Sequence, residues 1–264
     1  MKNYRTIENN SNFIIINLFG LKIQIGKKHY CPICNTYDKF LNAGVNAQRK
    51  KVRCPVCDSL ERHRYLYFVY LFHFLNDGNK QINLLHMAPE KCFHNLLSDK
   101  QNINYTCMDL YPENYDYAPE CKKEDVLNMS FRDNSFDIVL SNHILEHIKN
   151  EKKFFEEIMR VLKPNGKLIL SVPYSKELKK TFEDPNIDTD EDRLKYYGQK
   201  DHVRIYGRDI FETLGKYAQT VGGGQAMNFS RNLLPDKFAQ EIHCNYDDDK
   251  SDDAIIIFTK RTGD

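Results

Sequence analysis

The chain has 264 residues, 41% of them apolar, enough for one α/β domain with a small extra module and a core that needs no disulfides. A formal net charge of +1 excludes a global pull toward nucleic acid or an anionic membrane and leaves only a local patch open. Eight cysteines would suit a secreted protein, but four of them fall in two Cys-x-x-Cys pairs, a metal-site spacing. The other four, Cys92, Cys107, Cys121 and Cys244, are scattered and read as reduced, mostly buried small hydrophobes.

The first apolar run, residues 13–21, is shorter than the roughly 20 residues a bilayer span needs. It has neither the basic flank nor the small-x-small site of a signal peptide, so it reads as a strand or short helix and the expected compartment is the cytosol. Residues 28–58 are rich in Cys, Lys and Arg and poor in helical periodicity, which predicts a loop-rich module. Within it Cys31-Pro-Ile-Cys34 and Cys54-Pro-Val-Cys57 stand nineteen residues apart. Each pair can wrap one face of a metal, and two pairs give a tetrahedral four-thiolate site for zinc or, in a rubredoxin-like manner, iron. Four thiolates leave no open coordination position, so the site is structural. Arg49, Lys50, Lys51, Arg53, Arg62, His63 and Arg64 flank the second pair; without interleaved aromatics they suit a solvated face, or arginines tying the module to the main domain, better than a nucleic-acid reader.

A helix is expected over residues 58–75, with Asp58 and Glu61 forming a capping box. Strands then alternate with helices. Apolar strands fall at 82–87, 103–110, 136–141, 167–172 and 254–259, and helices at 90–97, 151–162 and 208–218, with Pro164-Asn165-Gly166 turning the chain after the second of these. Buried strands in this alternation predict a mostly parallel sheet covered on both faces, with ligands beyond the carboxyl ends of its strands. Domain boundaries follow at 1–58 for the N-terminal segment with its zinc-ribbon-like module and 59–264 for the α/β domain.

After the first strand of this series comes His86-Met87-Ala88-Pro89-Glu90, and after the second comes Asp109, near the roughly 20-residue separation between a first βα turn and a ribose-binding acid. Asp125 follows in KKEDVLNMSF, then FDIVLSNHILEHI and MRVLKPNGKLILSVP. This order resembles the class I S-adenosylmethionine-dependent methyltransferases of the type 11-like kind, over roughly residues 80 to 220. The tandem CPxC pairs, the APE turn and the segment Gln199 to Arg204 also resemble a bacterial subgroup with such a knuckle at its N-terminus. The resemblance implies a Rossmann-like seven-stranded sheet with its last strand antiparallel, and S-adenosylmethionine as cofactor. By position it assigns Ala88 and Glu90 to the first turn, Asp109 to the ribose, Asp125 to the adenine amino group and Val126 to the ring. Ser141, Asn142 and His143 fall at the methyl-transfer centre. Where the family usually has a glycine-rich first turn, this chain has no glycine there.

His143-Ile-Leu-Glu146-His147 also fits H-x-x-E-H, an inverted zinc-peptidase signature if it lies on a helix, although its place behind a buried strand argues against that class. His202, in QKDHVRIYG, is the expected general base, with Asp201 to orient its ring and Arg204 to hold an anionic acceptor. Residues 174–206 read as a long connection, a lid or a solvated loop, with an acidic run at 183–192. Gly222-Gly223-Gly224 reads as a turn. The expected function is methyl transfer to O or N of a small molecule or sugar. An RNA methyltransferase using the knuckle as reader, and a metal-stabilised binding protein without catalysis, are the alternatives.

Overall fold

The computed structural model describes residues 4–10, 13–18, 21–26, 29–44, 49–70, 80–220, 225–229 and 251–261. Among these, two compact units form. One takes the described residues before residue 80 together with Lys91–Leu96, and the other takes residues 80–90 and those from 97 onward.

In the first unit, β1 (Tyr4–Asn10), β2 (Phe13–Leu18) and β3 (Leu21–Gly26) make an antiparallel meander, so the described part of the first apolar run lies in strands. Two small antiparallel pairs follow: β4 (His29–Cys31) with β5 (Thr36–Asp38), and β6 (Leu41–Ala43) with β7 (Arg49–Arg53). Each leads into or out of one cysteine pair.

The helix α1 (Glu61–Tyr70) starts later than the sequence suggests. Asp58 is not its cap: it sits at φ 60° and donates its N–H to the Cys54 carbonyl at 3.0 Å, closing the knuckle. His63, three residues after Leu60, plays the reciprocal part of a capping box by accepting the Leu60 N–H at 3.1 Å, and Glu61 turns instead to Arg49 at 2.6 Å. The expected helix residues Leu71 and Phe74 lie outside the described residues, as do Cys244 and Gly222 to Gly224.

The second unit is built on a seven-stranded sheet. Its strands are β8 (Ile82–Met87), β9 (Ile103–Asp109), the two-residue β10 (Lys122–Lys123), β11 (Phe136–Asn142), β12 (Leu162–Ser175), β13 (Gln225–Phe229) and β14 (Ser251–Thr259). Their order is β10-β9-β8-β11-β12-β14-β13. The first five run parallel, and β14 is antiparallel to both of its neighbours. Parallel strands need crossovers, and the helices α2 (Lys91–Ser98) and α3 (Glu151–Val161) occupy two of them. Asn150 caps α3 by accepting the Lys153 N–H at 3.0 Å, and Phe154, Phe155, Ile158 and Val161 on one face enter the core at 0% exposure.

Pro164, Asn165 and Gly166 do not separate a helix from a strand as a free turn. They bulge out of β12, whose Leu162 pairs with Phe136 and whose Lys167 pairs with Ile138. Gly166 is required there, because a Cβ would stand 2.7 Å from the Lys163 carbonyl oxygen and 3.1 Å from that of Phe136.

The long connection holds a helix missed by periodicity, α4 (Asp190–Tyr197). The acidic run supplies its first turn with Asp190, Glu191 and Asp192, where carboxylates suit the helix dipole, and Thr189 caps it through the Asp192 N–H. The helix α5 (Ile210–Thr220) then leads toward β13. No helix among the described residues is long and apolar enough to cross a membrane.

Candidate functional site

The knuckle comes first along the chain. Cys31 Sγ lies 3.6 Å from Cys57 Sγ, and Cys34 Sγ lies 3.7 Å from Cys54 Sγ. No pair is a disulfide. Four sulfurs at about 2.3 Å from one tetrahedral ion would stand about 3.8 Å apart, close to these separations. The set fits a metal on electrostatic grounds as well. Three of the four cysteines are buried, and thiolates gathered this closely repel one another unless a cation lies between them. Ser59 Oγ stands 3.2 Å from both Cys31 and Cys57, and Thr36 Oγ1 3.0 Å from Cys34.

Two of the surrounding arginines, Arg49 and Arg64, are spent inside this unit. Arg64 is fully buried, donates to the carbonyls of Ser59 at 2.9 Å and Val52 at 2.8 Å, and lies 4.6 Å from the Phe40 ring centre. Arg49 holds Glu61. Both are therefore occupied as supports rather than presented to a polyanion.

In the second unit a cleft of about 750 Å³ opens beyond the carboxyl ends of β8, β9 and β11, where a doubly wound sheet places its ligands. Ala88, Asp109, Asp125 and Val126 line it together. Ala88 follows the buried run Leu84 to Met87 and takes φ 45°, the left-handed turn usually given to glycine, while its N–H reaches the Met108 carbonyl at 2.9 Å. Asp109 closes β9. It accepts the Tyr111 N–H at 2.7 Å and the Tyr115 hydroxyl at 2.9 Å, which fixes its carboxylate at the rim. The large side chains Leu110 and Tyr111 beside it line the same cleft and stay 46% and 55% exposed. Asp125 accepts the Leu127 N–H at 2.8 Å, and Val126 is half-buried.

Glu90 and Asn142, expected at the cofactor, are not among the residues lining this cleft. They meet each other instead: Asn142 Nδ2 donates to Glu90 Oε2 at 3.2 Å, and the same oxygen lies 2.8 Å from Nε2 of the fully buried His86. Tyr105 at His86 Nδ1 and Ser171 at Asn142 Oδ1 extend this chain across four neighbouring strands. His86 had no role in the sequence reading, because nothing in its neighbourhood along the chain shows that Glu90 and Tyr105 will close on it.

The opposite rim is formed by the segment after β11 and the segment before α5. His143 takes φ 51°, and residues Leu145–His147 form a single 3-10 turn. The segment is not the helix that an H-x-x-E-H peptidase needs, and its two histidines do not share an α-helical face. His143 lies 3.4 Å from Glu146 and 3.1 Å from Asp253, whereas His147 pairs through Nδ1 with Asp201 at 3.2 Å. Asp201 thus orients His147 and not His202. The His202 ring stands edge-on to His147, centroids 4.8 Å apart. Burial pushes its imidazole below the ordinary range, and Glu146 opposes that.

Arg204 is not placed for an acceptor. It is 2% exposed and bound to Glu183 at 2.8 and 3.0 Å and to the carbonyls of Leu145, Ile148 and Lys149.

A mostly parallel sheet with β14 antiparallel, and two acids after its strands lining one cleft, is a doubly wound α/β arrangement with room for a ligand at the carboxyl ends of the strands. Residues 90–170 match the family described as methyltransferase domain. The fold is similar to that of the CurJ carbon methyltransferase, with a TM-score of 0.51 and 11% identity, covering 78% of this chain and 56% of that one. Short stretches are similar to curated proteins. One is 48% identical over 48 residues to an uncharacterised protein of Methanocaldococcus jannaschii, 18% of this chain and 21% of that one. Another is 42% identical over 48 residues to phosphoethanolamine N-methyltransferase 2 of Caenorhabditis elegans, 18% and 11% respectively. The matched stretch spans about a fifth or less of the length of these relatives.

Proposed function

We propose that this chain transfers the methyl group of S-adenosylmethionine to an oxygen or nitrogen of a small molecule or sugar. The observation that carries the reading is the convergence of Asp109 and Asp125 on one cleft, with the turn at Ala88 as its floor. The cofactor supplies a methyl group already activated on a sulfonium. A carboxylate has about four lone-pair directions. Asp109 spends some on Tyr111 and Tyr115 and keeps others for two ribose hydroxyls. Asp125 would accept from the adenine amino group, Val126 would pack on the ring, and the exposed Leu110 and Tyr111 would cover it. Glu90 and Asn142 act from beneath by bracing the turn after β8 through their mutual bond. A cofactor held this way would present its methyl carbon to an acceptor bound in the same cleft, replacing a collision by a fixed approach. The four cysteines hold zinc or iron and serve the stability of their own unit.

Titration calorimetry with S-adenosylhomocysteine tests this. One site is expected. Asp109→Asn, which keeps an acceptor for Tyr111, should weaken it about 10–100-fold, the worth of a charge-assisted hydrogen bond. No heat and no thermal shift at millimolar ligand would overturn the reading.

A further inference from the structure

Glu146, His147 and His202 bring a carboxylate oxygen and two imidazole nitrogens within 4.8 Å of one another, a spacing that side-chain rotation can close onto one ion. His147 lines the cleft that holds Asp109 and Asp125. Glu146 is 2% exposed, and its Oε2 has no hydrogen-bond partner among the described residues. A buried carboxylate oxygen without a donor is costly unless a positive charge meets it. His147 gives its Nδ1 to the Asp201 carboxylate at 3.2 Å and the Asp201 carbonyl at 3.2 Å. That leaves Nε2 as its ligand atom and reproduces the outer carboxylate that metal-bound imidazoles usually carry. The backbone fixes the meeting: the Val203 N–H reaches the Glu146 carbonyl at 2.9 Å, which seats His202 beside the turn.

We propose that Glu146, His147 and His202 bind a divalent transition-metal cation, whose open positions take two neighbouring oxygens of the methyl acceptor. The cation site stands on its own geometry; the acceptor class rests on the methyl-transfer reading above. Two imidazoles and one carboxylate leave room for further ligands, unlike the closed four-cysteine set. An acceptor with adjacent oxygens, such as a vicinal diol or a catechol, chelates at such an ion and is turned toward the methyl group.

The ion makes the acceptor hydroxyl more acidic. The O–H bond breaks and its electron pair attacks the methyl carbon. The C–S bond breaks with its pair going to sulfur, and the proton leaves to solvent. A methyl ether, S-adenosylhomocysteine and one proton result. In this scheme His202 is a ligand and no longer the free base that its sequence neighbourhood suggests.

The test is a titration of the full chain, its knuckle metal in place, with Mn²⁺, following loss of the free-ion electron paramagnetic resonance signal. One site per chain is expected. His147→Ala and His202→Ala, both at half-buried positions, should weaken it at least 10-fold, and Glu146→Gln likewise. Asp201→Asn should weaken it about 10–100-fold, as outer-shell changes do. Each variant should keep its knuckle metal by elemental analysis and bind S-adenosylhomocysteine within a few-fold of the parent. Absence of any Mn²⁺ site tighter than about 1 mM, or unchanged affinity in both histidine variants, overturns the proposal. S-adenosylhomocysteine heat without a Mn²⁺ site removes the cation and leaves methyl transfer standing. A Mn²⁺ site without that heat does the reverse.

Discussion

Val203 donates its backbone N–H to the carbonyl oxygen of Glu146 at 2.9 Å, joining the segment before α5 to the 3-10 turn after β11. The next residue, Arg204, reinforces the join by donating to the carbonyls of Leu145, Ile148 and Lys149. These bonds decide where His147, Asp201 and His202 stand, so the cleft's second rim depends on a side chain that never faces it.

Arg204→Met is therefore expected to destabilise the protein. Burial alone would push its guanidinium down, but Glu183 and Glu151 hold it well above its ordinary value. Removing the cation strands these carboxylates and three carbonyls. The cost should be about 3 kcal/mol, at the lower end for a broken buried ion pair because Glu183 is partly exposed. That corresponds to a melting-temperature loss of roughly 6–12 °C by circular dichroism. A variant that melts like the parent but fails to bind an anionic ligand would put Arg204 back at the substrate.

At the knuckle, one zinc or iron per chain is expected by elemental analysis of freshly reduced protein. Cys57→Ser should abolish it, since Cys57 Sγ stands 3.6 Å from Cys31 Sγ in the same cluster. The first unit should then unfold at lower urea, because metal binding and folding are coupled in such sites. Full metal content in the variant would place the ion elsewhere.

Ala88 offers a test in the opposite direction. At φ 45° an L side chain costs about 1–2 kcal/mol, and glycine escapes that while losing roughly 0.5–1 kcal/mol to unfolded-state entropy. Ala88→Gly should raise stability by a net of about 0.5–1 kcal/mol, and Ala88→Val should lower it, both read from urea melts. A Gly variant less stable than the parent by a similar amount would show that the turn does not hold this backbone.

Several features were readable along the chain because they depend on neighbours in sequence. The two Cys-x-x-Cys spacings are local, and so the knuckle could be named residue by residue. Strands such as Ile82–Met87 and Phe136–Asn142 carry consecutive apolar residues, Leu84-Leu85 and Ile138 to Leu140, which already implies burial on both faces of a parallel sheet. Asp109 and Asp125 follow from a fixed chain order of strands. Other choices needed the folded molecule. Asp201 lies beside His202 in sequence but pairs with His147. Arg204 has the composition of an anion binder yet is walled in by carbonyls from residues 145–149. Glu90 meets His86 and Asn142 beneath the cleft. A polar side chain's role is set by whichever donor or acceptor the tertiary structure brings within about 3 Å, and spacing along the chain does not encode that distance.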